Sequence, residues 1–172
     1  MTDLRFTYAT LDDVPRLSAL IELAYRGSQA ATGWTNETDI LEGPRSSPSE
    51  VEQLIRDPDS RFVLALDHDE LIGSALLKRH GDGAYFGMFA IDPRLQQRGL
   101  GKAVMVHCEA AARELWNAKF LELAVISLRD ELIGWYQRRG FRRTGERHPF
   151  PFDTATGALR TDFDLVVLQK PL

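Results

Sequence analysis

The residues best suited to chemistry lie in two short stretches. The first, Gln96-Gln97-Arg98-Gly99-Leu100-Gly101-Lys102, follows the apolar run Ala84–Ile91 and opens a helical pattern that reaches Trp116. Gly99 and Gly101 lack a Cβ, so the backbone can turn sharply there and approach a ligand closely. The amides of that turn and of the first helical residues have no partner inside the helix, and the helix dipole adds partial positive charge. Arg98 and Lys102 supply full charges, and together these groups make a seat for a phosphate or pyrophosphate. The second stretch runs from Leu132 to Phe141, about forty residues further on. Helical spacing puts Leu132, Ile133 and Tyr136 on one apolar face, which turns the Tyr136 ring inward. A buried phenol needs a hydrogen-bond partner. Taken alone, Tyr136 reads first as a core tyrosine bonded to a backbone carbonyl; beside the glycine loop it reads as a group in a site.

The glycine loop is not that of a nucleotide-binding P-loop, because Ala103 follows Lys102 where Ser or Thr is needed. Val104 stands where the dinucleotide fingerprint has its third glycine, so that reading also fails. Gln96-x-x-Gly99-x-Gly101 instead resembles the (Gln/Arg)-x-x-Gly-x-(Gly/Ala) pattern of the GNAT superfamily of acyl-CoA-dependent N-acyltransferases. Tyr136 followed by Gly140-Phe141 resembles the second signature of the same superfamily. The resemblance covers nearly the whole chain.

It implies acetyl-CoA as co-substrate, with its pyrophosphate on Gln96, Gln97, Arg98, Gly99, Leu100, Gly101 and Lys102. It implies further that the backbone of Phe89, Ala90 and Ile91 bonds the pantetheine arm as a neighbouring strand would, with strand amides near Phe89 stabilising the oxyanion. Tyr136 then lies beside the sulfur. A neutral amine attacks the thioester carbonyl and coenzyme A leaves as a thiolate. A thiol near pKa ~8.5 and a phenol near ~10 differ little, so proton donation is uphill by only roughly 2 kcal/mol in the unperturbed case, and Tyr136 serves as general acid. The protein acts mainly by positioning, since thioester and amine are already reactive. Two positions depart from the family pattern. Arg129 stands where many members have an asparagine, and Tyr85–Ile91 carries no carboxylate to act as general base. Deprotonation of the amine then runs through water, a residue from elsewhere, or Tyr85.

The elements that must hold these residues follow from periodicity and punctuation. Leu4, Phe6 and Tyr8 alternate as a strand, and Thr10 with Asp13 starts a helix carrying Val14, Leu17, Ile21, Ala24 and Tyr25. Residues 28–46 have no clean period, apart from a helical turn near Thr38–Leu41. Ser47-Pro48-Ser49-Glu50 has the cap, N1 proline and capping glutamate of a second helix, which ends before Pro58. Arg61–Asp67, Leu71–Arg79 and Ala84–Ile91 are successive strands, the long helix spans Gly99–Trp116, and Phe120–Ile126 is an apolar strand. Glu131–Arg139 is a short helix ended by Gly140, and Phe141–Thr144 and Thr161–Gln169 close the sheet. The order β-α-α-β-β-β-α-β-α-β-β implies an α/β fold of α+β type. Its GNAT-like, mixed and mostly antiparallel sheet has six to seven strands with helices on both faces, in a single domain over residues 1–172.

With 172 residues, 44% hydrophobic and 27% charged, the composition is that of an ordinary globular protein. A net charge of −4 with no basic block offers nothing to nucleic acid or to a membrane surface. No apolar run approaches a membrane span. The lone Cys108 can make neither an internal disulfide nor a metal cluster, so no metal is expected and a cytoplasmic setting fits. The resemblance also implies a homodimer formed through edge strands.

For the amine substrate, the informative segment is Tyr25-Arg26 through Trp34 and Glu37 to Arg45, since in GNAT folds this region covers the acceptor pocket. Trp34 with Glu37 could receive an amine by ring face and carboxylate, and Arg26 with Arg45 a substrate carboxylate. A lid that packs on the domain, with Glu37 as a helix cap, is the plainer alternative. His107 and Cys108 fall on the apolar stripe of the long helix and read as packed core. His148 precedes Pro149–Phe152, a rigid loop or a share in the substrate wall. The expected activity is acetyl transfer to a primary amine of a small molecule or peptide. The alternatives are a coenzyme A-binding sensor without turnover, a longer acyl donor, or a hydroxyl acceptor.

Overall fold

A computed structural model describes residues 3–27, 37, 40–41, 43–95, 98–152 and 157–172. The described elements are β1 (Leu4–Tyr8), α1 (Val14–Arg26), α2 (Pro48–Arg56), β2 (Ser60–Asp67), β3 (Glu70–His80), β4 (Gly83–Ile91), α3 (Leu100–Trp116), β5 (Phe120–Ile126), α4 (Asp130–Gln137), β6 (Arg142–Pro149) and β7 (Asp164–Pro171). Their order is the expected one.

Local signals set most boundaries. The Asp13 carboxylate accepts the Thr10 amide at 2.7 Å and turns the chain into α1. The Ser47 hydroxyl accepts the Glu50 amide at 3.1 Å and starts α2, satisfying a donor that the helix itself cannot. Gly99 caps α3 with φ 75°, a conformation open to glycine without steric cost.

The seven strands form one sheet in the order β1-β2-β3-β4-β5-β7-β6. Every neighbouring pair is antiparallel except β4 and β5. The last strand to be made, β7, therefore enters between β5 and β6. β6 runs on to Pro149, beyond the Phe141–Thr144 span expected, because β7 offers it a long partner on one side. Pro149 is tolerated since β6 is an edge strand.

Both faces are covered. One core holds Phe86, Phe89, Val104, Cys108, Leu121, Ile133, Tyr136 and Phe141, under α3 and α4. The other holds Leu17, Ile21, Val51, Phe62, Leu76, Met88 and Ala90, under α1 and α2. Side chains of a strand alternate between faces, yet on β4 the first core takes Ala84, Phe86, Phe89 and Ile91. The phase slips by one residue at Met88. There the ladder passes from Leu76↔Gly87 to Ser74↔Ala90, so Met88 and Phe89 stand opposite Ala75 alone. Met88 has φ 45°, and this β-bulge bends the central strand at its midpoint.

Candidate active site

The bend coincides with a parting of the sheet. β4 and β5 pair only at Ala84↔Leu121 and Tyr85↔Glu122, and beyond Tyr85 the parallel ladder stops. A cavity of about 490 Å³ opens at this point, lined on one side by residues 85–89 of β4 and on the other by residues 123–126 of β5. Consecutive strand residues point to opposite faces. A cavity that touches every one of them therefore reaches the strand edges, where the peptide groups are.

Tyr136 reaches the cavity from α4, and the motif around it explains how it is held. Gly140 takes φ 98°, which lets the chain reverse so that the Phe141 amide donates to the Tyr136 carbonyl at 3.2 Å. This closes the helix in the manner of a Schellman turn. The buried Phe141 ring then packs edge-on against Tyr136, with centroids 5.5 Å apart. Phe86 and Trp135 pack on it as well, at 6.5 and 5.2 Å. Burial pushes the Tyr136 phenol well above its ordinary pKa, and the nearby phenols of Tyr25 and Tyr85 add to this. Tyr25 and Tyr85 are themselves raised, again chiefly by burial. Three neutral phenols thus share the cavity wall. Tyr85 is consequently a poor base at neutral pH, because its proton is held more tightly than in water.

Tyr85 lies over Gly87 on the same strand: a Cβ at Gly87 would come within 2.6 Å of Tyr85 Cε1. Glycine there is the condition for the ring's position.

Of the residues expected to meet the acceptor, Tyr25, Arg26, Glu37 and Arg45 all line the cavity. Trp34 lies outside the described residues. Arg26 and Glu37 are tied to each other, Nη1 to Oε2 at 2.6 Å, with side chains only 12% and 14% exposed. Arg26 Nε also donates to the Gly43 carbonyl at 3.1 Å. Arg45 sits over the Tyr25 ring, its Cζ 5.1 Å from the centroid. Arg129, Phe150 and Pro151 complete the wall. Arg129 arrives because it caps α4, whereas His148 is exposed on β6 and does not line the cavity. Only the spacing of Arg129 from Tyr136 hinted at its place.

At the other end of β4, Phe89 lines the cavity while Ala90 and Ile91 are buried in the two cores. Their side chains are committed to packing, and along one edge they pair with Ser74 and Gly73 of β3. Asp92 is 2% exposed. Its carboxylate accepts Arg94 Nη2 at 2.6 Å and the Arg94 amide at 3.0 Å, and these bonds fix how the chain leaves the strand. Gln96 and Gln97 lie outside the described residues. Arg98, Gly99 and Lys102 are exposed around the start of α3, and a Cβ on Gly99 would meet nothing within 4 Å. The helix start is thus open for an anion.

Elsewhere, His107 stacks on Phe6 with centroids 4.2 Å apart, and burial lowers its pKa. Burial pushes the Cys108 thiol up and leaves it inert. Among the described residues no group of His, Cys, Asp and Glu could hold a metal, and no helix is long and apolar enough to cross a membrane.

A sheet parted at its centre beside a glycine-started helix agrees with the family comparison, in which residues 28–141 match the acetyltransferase (GNAT) family model. The chain belongs to that family. Its fold is similar to that of a ribosomal-protein-S18-alanine N-acetyltransferase from Escherichia coli, at 15% identity and TM-score 0.71 over 98% of this chain and 93% of that one. It is also similar to a spermidine N-acetyltransferase chimera of Vibrio cholerae and human sequences, at 21% identity and TM-score 0.72 over 99% and 96%. A Bacillus anthracis protein solved in complex with acetyl coenzyme A aligns at 21% identity and TM-score 0.58 over 70% and 66%. At these identities the likeness concerns the fold. No curated protein matches the sequence.

Proposed function

We propose that the protein transfers an acetyl group from acetyl-CoA to the primary amine of a small molecule, by direct attack within a ternary complex. The observation that carries this reading is the β4–β5 ladder, which ends after Tyr85↔Glu122 and opens into the cavity that Tyr136 faces. A parted parallel ladder gives an extended amide-bearing arm, such as pantetheine, two strand edges to pair with. The open, cationic start of α3 suits the pyrophosphate, through the Gly99–Lys102 amides, Arg98 and Lys102. The complex of the Bacillus anthracis neighbour with acetyl coenzyme A supports the same co-substrate.

In the reaction the amine nitrogen forms a bond to the thioester carbon, the C–S bond breaks, and the amine's proton is lost while the sulfur gains one. The products are an amide and the free thiol. Tyr136 supplies the proton to sulfur. Its raised pKa makes it a weaker acid than a phenol in water, but the same burial destabilises a thiolate beside it. Both partners shift in the same direction, and the small unperturbed difference between them is largely kept. Backbone groups near the Met88 bulge stabilise the oxyanion. Glu37 is the one carboxylate among the described lining residues, and Arg26 holds it, so the attacking amine loses its proton to water.

The experiment is thiol release from acetyl-CoA across a panel of small amines, with the unfolding temperature measured in acetyl-CoA alone. Release with one acceptor class, together with a rise in that temperature, is expected. Absence of any acetyl-CoA effect on stability would overturn the reading.

A further inference from the structure

We propose that the acceptor is a small amine carrying a carboxylate of its own, an amino acid or a compound of similar shape, and that Arg45 holds that carboxylate. This rests on the acetyl-transfer reading and names the acceptor for the same site.

The charge of the wall is the first reason. Among the described lining residues the ionised groups are Arg26, Arg45, Arg129 and Glu37. Glu37 is already paired with Arg26 at 2.6 Å, and the charge of Arg45 is what the described wall has left to offer an anion. A polyamine entering here would meet the cationic side chains of Arg26, Arg45 and Arg129, which disfavour it. An anionic group is what the wall can receive.

Arg45 is the second reason. Its guanidinium rests over the Tyr25 ring at 5.1 Å, and among the described residues it pairs with no carboxylate. A ring beneath a guanidinium fixes the group by its face and keeps its in-plane N–H donors for another partner, which suits bidentate carboxylate recognition. Arg45 and Tyr85 of β4 line the same cavity, so a carboxylate held by Arg45 keeps the acceptor beside the strand at which acyl transfer is proposed.

The third reason concerns size. The segment before α2 and the connection between β6 and β7 are joined by an antiparallel bridge, Leu41↔Ala158. The Leu159 amide donates to the Ile40 carbonyl at 2.8 Å. Behind this join Ile40, Leu41, Ile126 and Phe163 form an apolar cluster with Phe150 and Phe152 packed on it. Leu41, Ile126 and Phe150 also line the cavity, so the joined segments are its wall. A polypeptide acceptor would need these segments apart to lay its chain through. A cavity of about 490 Å³ has the scale of a small-molecule site.

The test measures thiol release from acetyl-CoA with the twenty amino acids, with the carboxamide of each amino acid accepted, with spermidine, and with a hexapeptide. Binding is followed separately as the unfolding temperature in coenzyme A plus each amine. An amino acid is expected to turn over, and its carboxamide to lose roughly 100-fold in kcat/KM because a neutral amide lacks the charge and the second acceptor that a guanidinium pairs with. In Arg45→Gln that discrimination should collapse to within about threefold, because the half-buried Arg45 guanidinium is the group that tells carboxylate from carboxamide, while acetyl-CoA still raises the unfolding temperature. Preference for spermidine or the hexapeptide would overturn the inference and leave acetyl transfer standing. So would an Arg45→Gln enzyme that still discriminates, or acetyl-CoA binding with no carboxylate-bearing amine either bound or turned over. Failure of acetyl-CoA to bind at all would instead overturn the proposed function.

Discussion

Arg26 at the end of α1 donates to the Glu37 carboxylate at 2.6 Å, eleven residues along the chain. Both side chains are nearly buried, and the Glu37 amide is itself bonded to the Tyr25 carbonyl at 3.0 Å. The pair therefore anchors one wall of the cavity to the helix that carries Tyr25. Glu37→Gln leaves a guanidinium without its counter-charge and should cost about 3 kcal/mol in urea unfolding. Combining it with Arg26→Met should restore most of that loss, since the cost lies in the orphaned charge. Additive losses in the double variant would show that the two residues are not coupled.

Gly87 and Tyr85 make a second prediction. Gly87→Ala introduces a methyl group 2.6 Å from the Tyr85 ring, so the ring must move within the cavity wall. We expect a loss of about 1–3 kcal/mol in stability from overpacking and a fall in kcat/KM for the amine. Acetyl-CoA binding at the start of α3, measured by calorimetry, should change much less. An unaltered kcat/KM would mean that the position of Tyr85 does not matter to the acceptor.

The pH dependence follows from the buried phenols. Burial raises the pKa of Tyr25, Tyr85 and Tyr136, so the folded protein keeps protons that the unfolded chain releases near pH ~10. Their contribution to stability is whole below that value and is lost as the pH rises beyond it. The described cavity wall has no His, Cys or Lys. A plot of kcat/KM against pH should therefore rise as the acceptor amine loses its proton and show no descending limb below pH ~10. A descending limb between pH ~7 and ~9, below the free phenol value, would assign the acid role to another group.

The anion seat is tested at α3. Gly101→Glu places a carboxylate on the helix start where the pyrophosphate is proposed to bind, and acetyl-CoA affinity should fall at least roughly tenfold, about 1.4 kcal/mol. Gly99→Ala forces a side chain into φ 75° and should cost about 1–2 kcal/mol in stability. Retained affinity in Gly101→Glu would move the cofactor elsewhere.

Much of this was legible in the sequence because the signals are local. The Thr10 and Ser47 caps, the Gly99 turn and the Tyr136–Gly140–Phe141 closure each act within a few residues. They yielded the order of elements and the glycine start of α3, whereas it was the resemblance that drew Tyr25, Arg26, Glu37 and Arg45 together, and these line one cavity. What escaped is set by distance in sequence or by single inserted residues. The Met88 bulge adds one residue without any turn-forming type, yet it flips every later side chain of β4. The insertion of β7 between β5 and β6 is a pairing choice that no stretch encodes by itself. Arg129 and Tyr85 were singled out in the sequence, but that they share one wall follows only once α4 and β4 have been brought together. The coupling of Arg26 to Glu37 was likewise hidden, since eleven residues separate the two in the chain.

Protonation of the departing sulfur by Tyr136 is the step on which the proposed reaction turns, and single-turnover acetyl transfer by Tyr136→Phe isolates it. Acetyl-CoA affinity should be unchanged, because the ring and its packing on Phe141 remain, with transfer slowed by roughly 100-fold, the range of a lost general acid. Transfer at the wild-type rate with affinity intact would contradict it.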